Sequence, residues 1–310
     1  MTYSFPCTDL SKAGKQQGMS RDSGTRSGLL WEVERLLKEA KELPQILLME
    51  NVPDVLSEKN SADFFAWCRF LEGLGYTSKY AILNAKDFGI PQNRERCFML
   101  SWFGDFHYDF PQAKPLTVRL KDFLEPSVDE KYYLSEKTIK YFIQHTQESI
   151  EKGNGFRFEP TDGNVVGKTI TTRAGSRPDD NFIKCEHIAQ LEGDFEMANR
   201  VYSPEGLCPT IRTMQGGGSE PKILEDFYKN RKPREYKEVS PTLRSERDGQ
   251  KIIEGIRVRK LTPKECWRLM GFDDESFSRA EKKVSNSQLY KQAGNSIVVD
   301  VLMAIFKNLF

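Results

Sequence analysis

Three short stretches carry residue types that can act together chemically. The first is FPCTDLSKAG, where Cys7 follows Pro6 at the end of a short apolar run. A thiolate is a strong side-chain nucleophile near neutral pH, so this cysteine is a candidate for covalent catalysis. The plainer reading is a small buried hydrophobe. The second stretch is LLMENVPDVL, an aliphatic run that ends in Glu50 and Asn51. A carboxyl group at the carboxyl end of a strand lies where open α/β sheets bind ligands, whereas the bland alternative is a solvated strand end. In the third, GIPQNRERCFML, the residues Gln92, Arg94 and Arg96 alternate along an extended segment and so share one face. Taken alone, that is a surface charge patch.

The surrounding sequence supplies elements to position these groups. TYSFPC, QILLMENV, KYAILNA and RCFMLSWF read as short β-rich runs. Between them, RSGLLWEVERLLKEAKEL places Leu29, Leu30, Val33, Leu36 and Leu37 at helical spacing, and ADFFAWCRFLEGLGY is helical up to Gly73 and Gly75. Strands alternating with helices predict a mostly parallel sheet covered on both faces. Beyond residue 112 the texture shifts to short β-like pieces among Gly, Pro, Asp and Asn. Three of them, KTITTRAGS, CPTIRTMQGGG and SPTLRSERDG, each enter a basic, hydroxyl-rich turn. The last two run on into KIL and KII, as strand–loop–strand units would. Helical texture returns in LTPKECWRLMGF, with Thr262 as N-cap, Pro263 at the first helical position, Glu265 closing a capping box and Gly271 as the stop. QAGNSIVVDVLMAIFKNLF then reads as a turn into a buried C-terminal helix.

At 310 residues, with 38% hydrophobic and 29% charged content, the chain is long enough for two cores and excludes a disordered or fibrous class. No apolar run approaches a bilayer span and no signal-peptide pattern opens the chain, so a cytoplasmic location without a membrane partner is expected. Six cysteines without CxxC spacing predict reduced thiols. Cys185, His187 and Cys208 lack the paired spacing of a structural zinc site, and no metal is expected. A net charge of +1 leaves a nucleic-acid partner open, because a balanced total can hide a basic cleft. None of His107, His145 or His187 stands in a recognisable partner motif for a thiol hydrolase.

In chain order, FPCTDLSKAG, RSGLL, MENV, QNRER, LTPKECWRLMGF and QAGNSI resemble successive motifs of the DNA (cytosine-5)-methyltransferase family, over residues 1–105 and 256–310. The resemblance implies an α/β fold with a partial doubly wound, Rossmann-like sheet and a smaller β-rich target-recognition domain. The implied division is residues 1–111 catalytic, 112–285 target-recognising, and 286–310 a helix returning to the catalytic domain. The implied reaction moves a methyl group from S-adenosyl-L-methionine to C5 of a cytosine flipped out of a specific double-stranded DNA sequence, as in DNA methylation and restriction–modification. Cys7 is then the nucleophile at cytosine C6, and Glu50 offsets the charge built on the ring. Asn51 helps to fix the Glu50 carboxyl, while Arg94 and Arg96 hold the base and its phosphate and favour the thiolate. Pro6, Asn295 and Ser296 touch the cofactor. The DNA-reading candidates are Gln92, Arg173, Arg212, Gln215, Gly217 and Arg244. Among these side chains arginine suits guanine and glutamine adenine, and glycine lets backbone approach a base edge.

Two departures from the family pattern are small. Thr8 stands where Gln is usual, and Met270 replaces the Gln of Leu-Gln-Gly-Phe. They bear on the active-site loop and domain packing, not on the reaction class. A larger one is the family's Gly-rich cofactor loop and the strands that precede Pro-Cys, which this sequence does not contain. Neither Gly216–Gly218, followed by SEPKIL, nor GNGFRF opens a helix as such a loop must. The expectation is a half-built cofactor pocket, an apolar edge at TYSFP, and a separate N-terminal methyltransferase fragment or subunit as a partner. Two other functions stay open at this level: a non-catalytic DNA-binding remnant and an RNA cytosine-5 methyltransferase. We expect Arg212→Ala to relax sequence preference across a panel of duplexes; uniform weakening would assign that arginine to the phosphate backbone.

Overall fold

The computed structural model describes residues 1–7, 9–10, 17–21, 23–153, 156–187, 189–190, 200–202, 222–223 and 255–309. They fall into two compact units, Met1–Val118 with Ile297–Phe310, and Arg119–Ser296. Among the described residues no helix is long and apolar enough to cross a membrane.

The first unit contains β1 (Thr2–Ser4), α1 (Leu30–Glu39), β2 (Ile46–Asn51), α2 (Glu58–Gly73), β3 (Thr77–Asn84), β4 (Gln92–Asn93) and β5 (Glu95–Trp102). Four of these strands form a sheet in the order β1-β2-β5-β3. The expectation of a mostly parallel sheet needs correcting, because only the β1–β2 pair is parallel while β5 runs antiparallel to both β2 and β3. Connection length is the reason. The crossover through α2 makes β2 and β3 point the same way, whereas only a short turn at Ala85–Phe88 and β4 separate β3 from β5. Such a short link returns the chain antiparallel.

Residues 97–102 of β5 and Leu47, Leu48 and Met49 of β2 are buried, as near-continuous apolar runs inside a covered sheet should be. Leu47, Met49, Cys97 and Met99 pack with Phe5, Phe64, Trp67 and Leu71 in one core cluster, and Trp67 Nε1 donates to the Tyr3 hydroxyl at 2.9 Å. The buried stripe of α1 differs from the leucine periodicity. Leu30, Glu34 and Leu37 face inward, while Leu29 and Leu36 are exposed. A buried carboxylate is tolerated there because Arg21 pairs with Glu34 and Lys38 Nζ reaches it at 2.7 Å. Burial opposes ionisation of Glu34, yet hydrogen bonds from Arg21 and Lys38 prevail and hold the carboxyl below its ordinary range.

The second unit carries α3 (Glu136–Glu151), β6 (Gly167–Lys168), β7 (Phe182–His187), β8 (Ala189–Gln190), β9 (Arg200–Tyr202), β10 (Lys222–Ile223), β11 (Gly255–Lys260), α4 (Pro263–Arg268), α5 (Asp274–Glu281) and α6 (Asn286–Asn295). Strands β7 and β11 pair antiparallel over six residues, from Phe182 opposite Lys260 to His187 opposite Gly255. The predicted cap of α4 is present: Thr262 Oγ1 accepts the Glu265 N–H at 3.2 Å, and Glu265 accepts the Thr262 N–H at 2.8 Å. Glu265 also receives two bonds of 2.9 Å from Arg259, both side chains being fully buried, and one from the Glu125 N–H at 2.8 Å.

The last helix, α7 (Val299–Lys307), belongs to the first unit and buries Val301 and Ile305 but leaves Met303 exposed. It is therefore half-buried. The QAG residues read as part of a turn are instead the end of α6, and the turn itself begins at Ser296.

Gly294 lies where α6 meets the backbone of Thr171 and Thr172, and a Cβ there would stand 2.3 Å from Thr172 N and 2.5 Å from Thr171 C. Helix propensity alone favours alanine over glycine by about 1 kcal/mol. The backbone overlap outweighs it, and we expect Gly294→Ala to destabilise the protein by about 1–3 kcal/mol in denaturant unfolding.

Candidate active site

Because β1 and β2 are parallel, with Ser4 opposite Glu50, both strands end on the same side of the sheet. The chain leaves β1 there into Phe5, Pro6 and Cys7, and β2 delivers Glu50 and Asn51. β5 runs the other way, with Phe98 opposite Glu50 and Cys97 opposite Asn51, so its first residues arrive at that same end. Arg94 and Arg96 come with them.

The charges meet closely. Arg96 Nε lies 3.1 Å from Glu50 Oε1, both side chains being mostly withdrawn from solvent, and Ser4 Oγ donates to Glu50 Oε2 at 3.3 Å. Burial alternates from Gln92 to Glu95, with Gln92 and Arg94 buried and Asn93 and Glu95 exposed. Burial, and after it the neighbouring Arg96, push the Arg94 guanidinium down to about 9, against the opposing influence of Glu50 and Cys7. At neutral pH Arg94 remains a cation within electrostatic reach of both the carboxyl and the thiol. Its main chain is anchored as well: Asn84 Oδ1 accepts the Arg94 N–H at 3.1 Å, and the Ala85 N–H donates to the Arg94 carbonyl at 3.0 Å.

Cys7 is half-buried, and its carbonyl accepts the Leu10 N–H at 3.1 Å. Pro6 is exposed. Asn51 is buried, with Nδ2 donating to the Phe5 carbonyl at 3.0 Å and Oδ1 accepting the Val52 N–H at 2.9 Å. Its amide thus holds the backbone ahead of Pro6, a different partner from the Glu50 carboxyl expected above. In the second unit, Asn295 is exposed at the last position of α6, and Ser296 Oγ donates to the Gln292 carbonyl at 2.8 Å.

Among the DNA-reading candidates, Gln92 is fully buried and Arg173 is exposed in a turn. That turn is organised by Asp180, whose carboxylate accepts the Ser176 N–H at 3.0 Å and the Arg177 N–H at 2.9 Å. Arg212, Gln215, Gly217 and Arg244 lie outside the described residues.

Three residues that hold this region were not singled out from sequence: Asp9, Ser27 and Asn84. Ser27 lies in the quoted RSGLL stretch, just ahead of a helix, so a capping hydroxyl was there to be noticed. Asp9 acts on backbone remote in sequence and gives no local signal, whereas Asn84 caps the adjacent turn at Ala85–Phe88 through the Lys86 N–H, a pattern its type at a strand end could have suggested. A thiol, a carboxyl and two guanidinium groups at one sheet end place a candidate nucleophile beside groups able to stabilise developing negative charge.

Comparison with known proteins identifies the family. The profile of the C-5 cytosine-specific DNA methylase family matches residues 1–310. The type II methyltransferase M2.ScrFI of Lactococcus lactis subsp. cremoris is 36% identical over 310 residues, covering 100% of this chain and 66% of that protein. The orphan methyltransferase M.SssI of Spiroplasma monobiae is 34% identical over 311 residues, covering 98% of this chain and 64% of that protein. The chain thus spans just under two thirds of the length of these relatives. The S. pombe Dnmt2 methyltransferase structure shares the fold, with a TM-score of 0.57 at 18% identity over 99% of this chain and 76% of that one. With the family profile matched from the first residue to the last, the chain belongs to the C-5 cytosine-specific DNA methylases.

Proposed function

We propose that this chain carries the catalytic thiol of a DNA cytosine-5 methyltransferase that works on a cytosine flipped out of a duplex. The observation that carries the reading is the convergence of the Cys7 turn, Glu50 and the Arg94–Arg96 pair at one end of the sheet. Cytosine C5 is a poor nucleophile until a group adds at C6. The Cys7 thiolate forms the S–C6 bond, the C5–C6 π pair moves into the ring, and a proton from the Glu50 carboxyl neutralises the charge at N3. Arg94 stabilises the thiolate before attack, and Arg96 orients Glu50. Once C5 carries the methyl group that the cofactor would supply, water takes the C5 proton, the C–H pair re-forms the C5–C6 double bond, Cys7 leaves as thiolate and N3 returns its proton to Glu50.

Pro6 is exposed in the first unit, and Asn295 is exposed at the end of α6 in the second. From the motif resemblance we assign Pro6, Asn295 and Ser296 as the residues that would touch S-adenosylmethionine. When bound, that cofactor supplies an electrophilic methyl group for C5. Extruding the base costs a few kcal/mol, which phosphate contacts offset. We assign target reading to the 112–285 segment, through the exposed Arg173 turn together with Arg212, Gln215, Gly217 and Arg244, and to Gln92 at the start of the arginine-bearing stretch.

The test of the chemistry is mechanism-based trapping. A duplex carrying 5-fluorocytosine, with S-adenosylmethionine and any further segment the enzyme requires, should give a denaturation-resistant adduct mapped to Cys7. Cys7→Ser should abolish it while duplex binding persists. An adduct that survives Cys7→Ser overturns the reading, and preferential trapping on RNA would change the substrate class.

Among the described strands β1 stands at an edge of the sheet. That edge supports the additional proposal of a separate N-terminal piece that adds a strand and a Gly-rich loop. Labelled S-adenosylmethionine should then bind tightly only when the piece is added; stoichiometric tight binding by the chain alone would defeat it.

A further inference from the structure

Three successive peptide planes around the candidate nucleophile are each held by one hydrogen bond to the carbonyl, and each bond comes from a different place. The Phe5 carbonyl accepts from Asn51 Nδ2 at 3.0 Å, and the Cys7 carbonyl accepts from the Leu10 N–H at 3.1 Å. Between them, the Pro6 carbonyl accepts from the Ser27 hydroxyl at 2.6 Å. The proline ring already fixes φ at Pro6, so the ψ angle of Pro6 sets where the Cys7 N and Cα lie, the base from which Cys7's own φ and χ1 place the sulfur. The direction of the Pro6 carbonyl reports that angle, and Ser27 holds it.

Ser27 is itself completely buried and pinned. Its N–H donates to Asp9 Oδ2 at 3.2 Å, the adjacent Arg26 N–H donates to the same oxygen at 2.8 Å, and the Asp9 N–H returns a bond to Ser27 Oγ at 3.3 Å. Arg26 occupies the N-cap position ahead of the helical turn Ser27–Leu29 and makes no side-chain cap of its own. Asp9 supplies the missing cap from far upstream. A buried carboxylate at a helical N-terminus, accepting two backbone N–H groups, is favourably placed. The Gly18 N–H adds a bond to the Asp9 carbonyl at 3.0 Å, so the same residue also ties down the returning chain.

We propose that Ser27 and Asp9 are positioning residues for the methyl-transfer reaction: Ser27 sets the peptide plane that aims the Cys7 sulfur, and Asp9 locks Ser27 in place. This rests on Cys7 being the nucleophile. Neither side chain takes a proton or contacts the base. A nucleophile misaimed by about 1 Å loses roughly a hundredfold in rate, so the effect appears in the chemical step and not in binding.

The experiment compares wild type with Ser27→Ala, Ser27→Thr and Asp9→Asn, each in the complete active enzyme, measuring the rate of covalent capture of the 5-fluorocytosine duplex and its dissociation constant separately. Ser27→Ala should slow capture roughly ten- to a hundredfold with duplex affinity unchanged within about twofold. Ser27→Thr, which keeps the hydroxyl, should restore most of the rate. Asp9→Asn should show a smaller loss of the same kind, and it carries the test should Ser27→Ala not fold. Wild-type capture rates in Ser27→Ala or Asp9→Asn, with Cys7→Ser abolishing capture, would overturn this inference and leave the nucleophile in place. A matching fall in affinity and thermal stability without a separate loss in capture rate would also overturn it, because that pattern describes a structural residue. Capture that persists in Cys7→Ser would instead remove the premise.

Discussion

The parallel pairing of β1 with β2 is the constraint on which the candidate site depends. Three residue pairs, Thr2 with Leu48, Tyr3 with Met49 and Ser4 with Glu50, set the register. Side chains alternate between faces, so a slip of one residue would exchange the inward and outward sets of β1. Tyr3 would lose Trp67, and the following Phe5 would leave the core cluster it helps to close. The same slip would move Cys7 away from the end of β2 where Glu50 and Asn51 emerge. The placement of Cys7 beside Glu50 and the core packing are thus specified by one short ladder.

Two buried or nearly buried carboxylates show how a structural ion pair differs from a reactive one. Glu265 is saturated, with two bonds from Arg259 and one each from the backbone N–H groups of Thr262 and Glu125. Four donors compensate for the loss of water, and the group is committed to holding α4 against β11 and the chain near Glu125. Glu50 has the Arg96 guanidinium at 3.1 Å and a long 3.3 Å bond from Ser4. Its two oxygens take one donor each, against four donors on Glu265. Arg94 beside it is desolvated, which strengthens its field at Cys7 and Glu50 because little water remains to screen it. The two carboxylates thus differ in how far protein donors replace the water they lose.

The mixed sheet follows from simple lengths. A helix such as α2 carries the chain back across the sheet and keeps β2 and β3 co-directional, whereas a turn can only reverse it. β5 enters between them in the opposite sense, and this reversal brings the arginines of its first residues to the end where β1 and β2 finish. A fully parallel arrangement would have carried them to the far end.

Much was legible in the residues themselves. The apolar runs marked β2 and β5, Gly75 and Gly271 adopt the positive φ expected of helix stops, and the capping box at Thr262 and Glu265 is a local pattern confirmed in detail. Cys7, Glu50, Arg94 and Arg96 could be named as candidates because thiol, carboxyl and guanidinium chemistry are properties of side chains, and the structure brings them to one end of the sheet. What the sequence alone determined, then, was the inventory of chemical groups and the elements that carry them, since both depend on residue type and near neighbours. Only the tertiary structure decided the antiparallel insertion of β5, the inward turn of Glu34, the reassignment of Asn51 to the Phe5 carbonyl, and the Asp9–Ser27 lock. Each of these joins groups distant along the chain, and a hydrogen bond of about 3 Å between remote residues leaves no periodicity for a sequence to display.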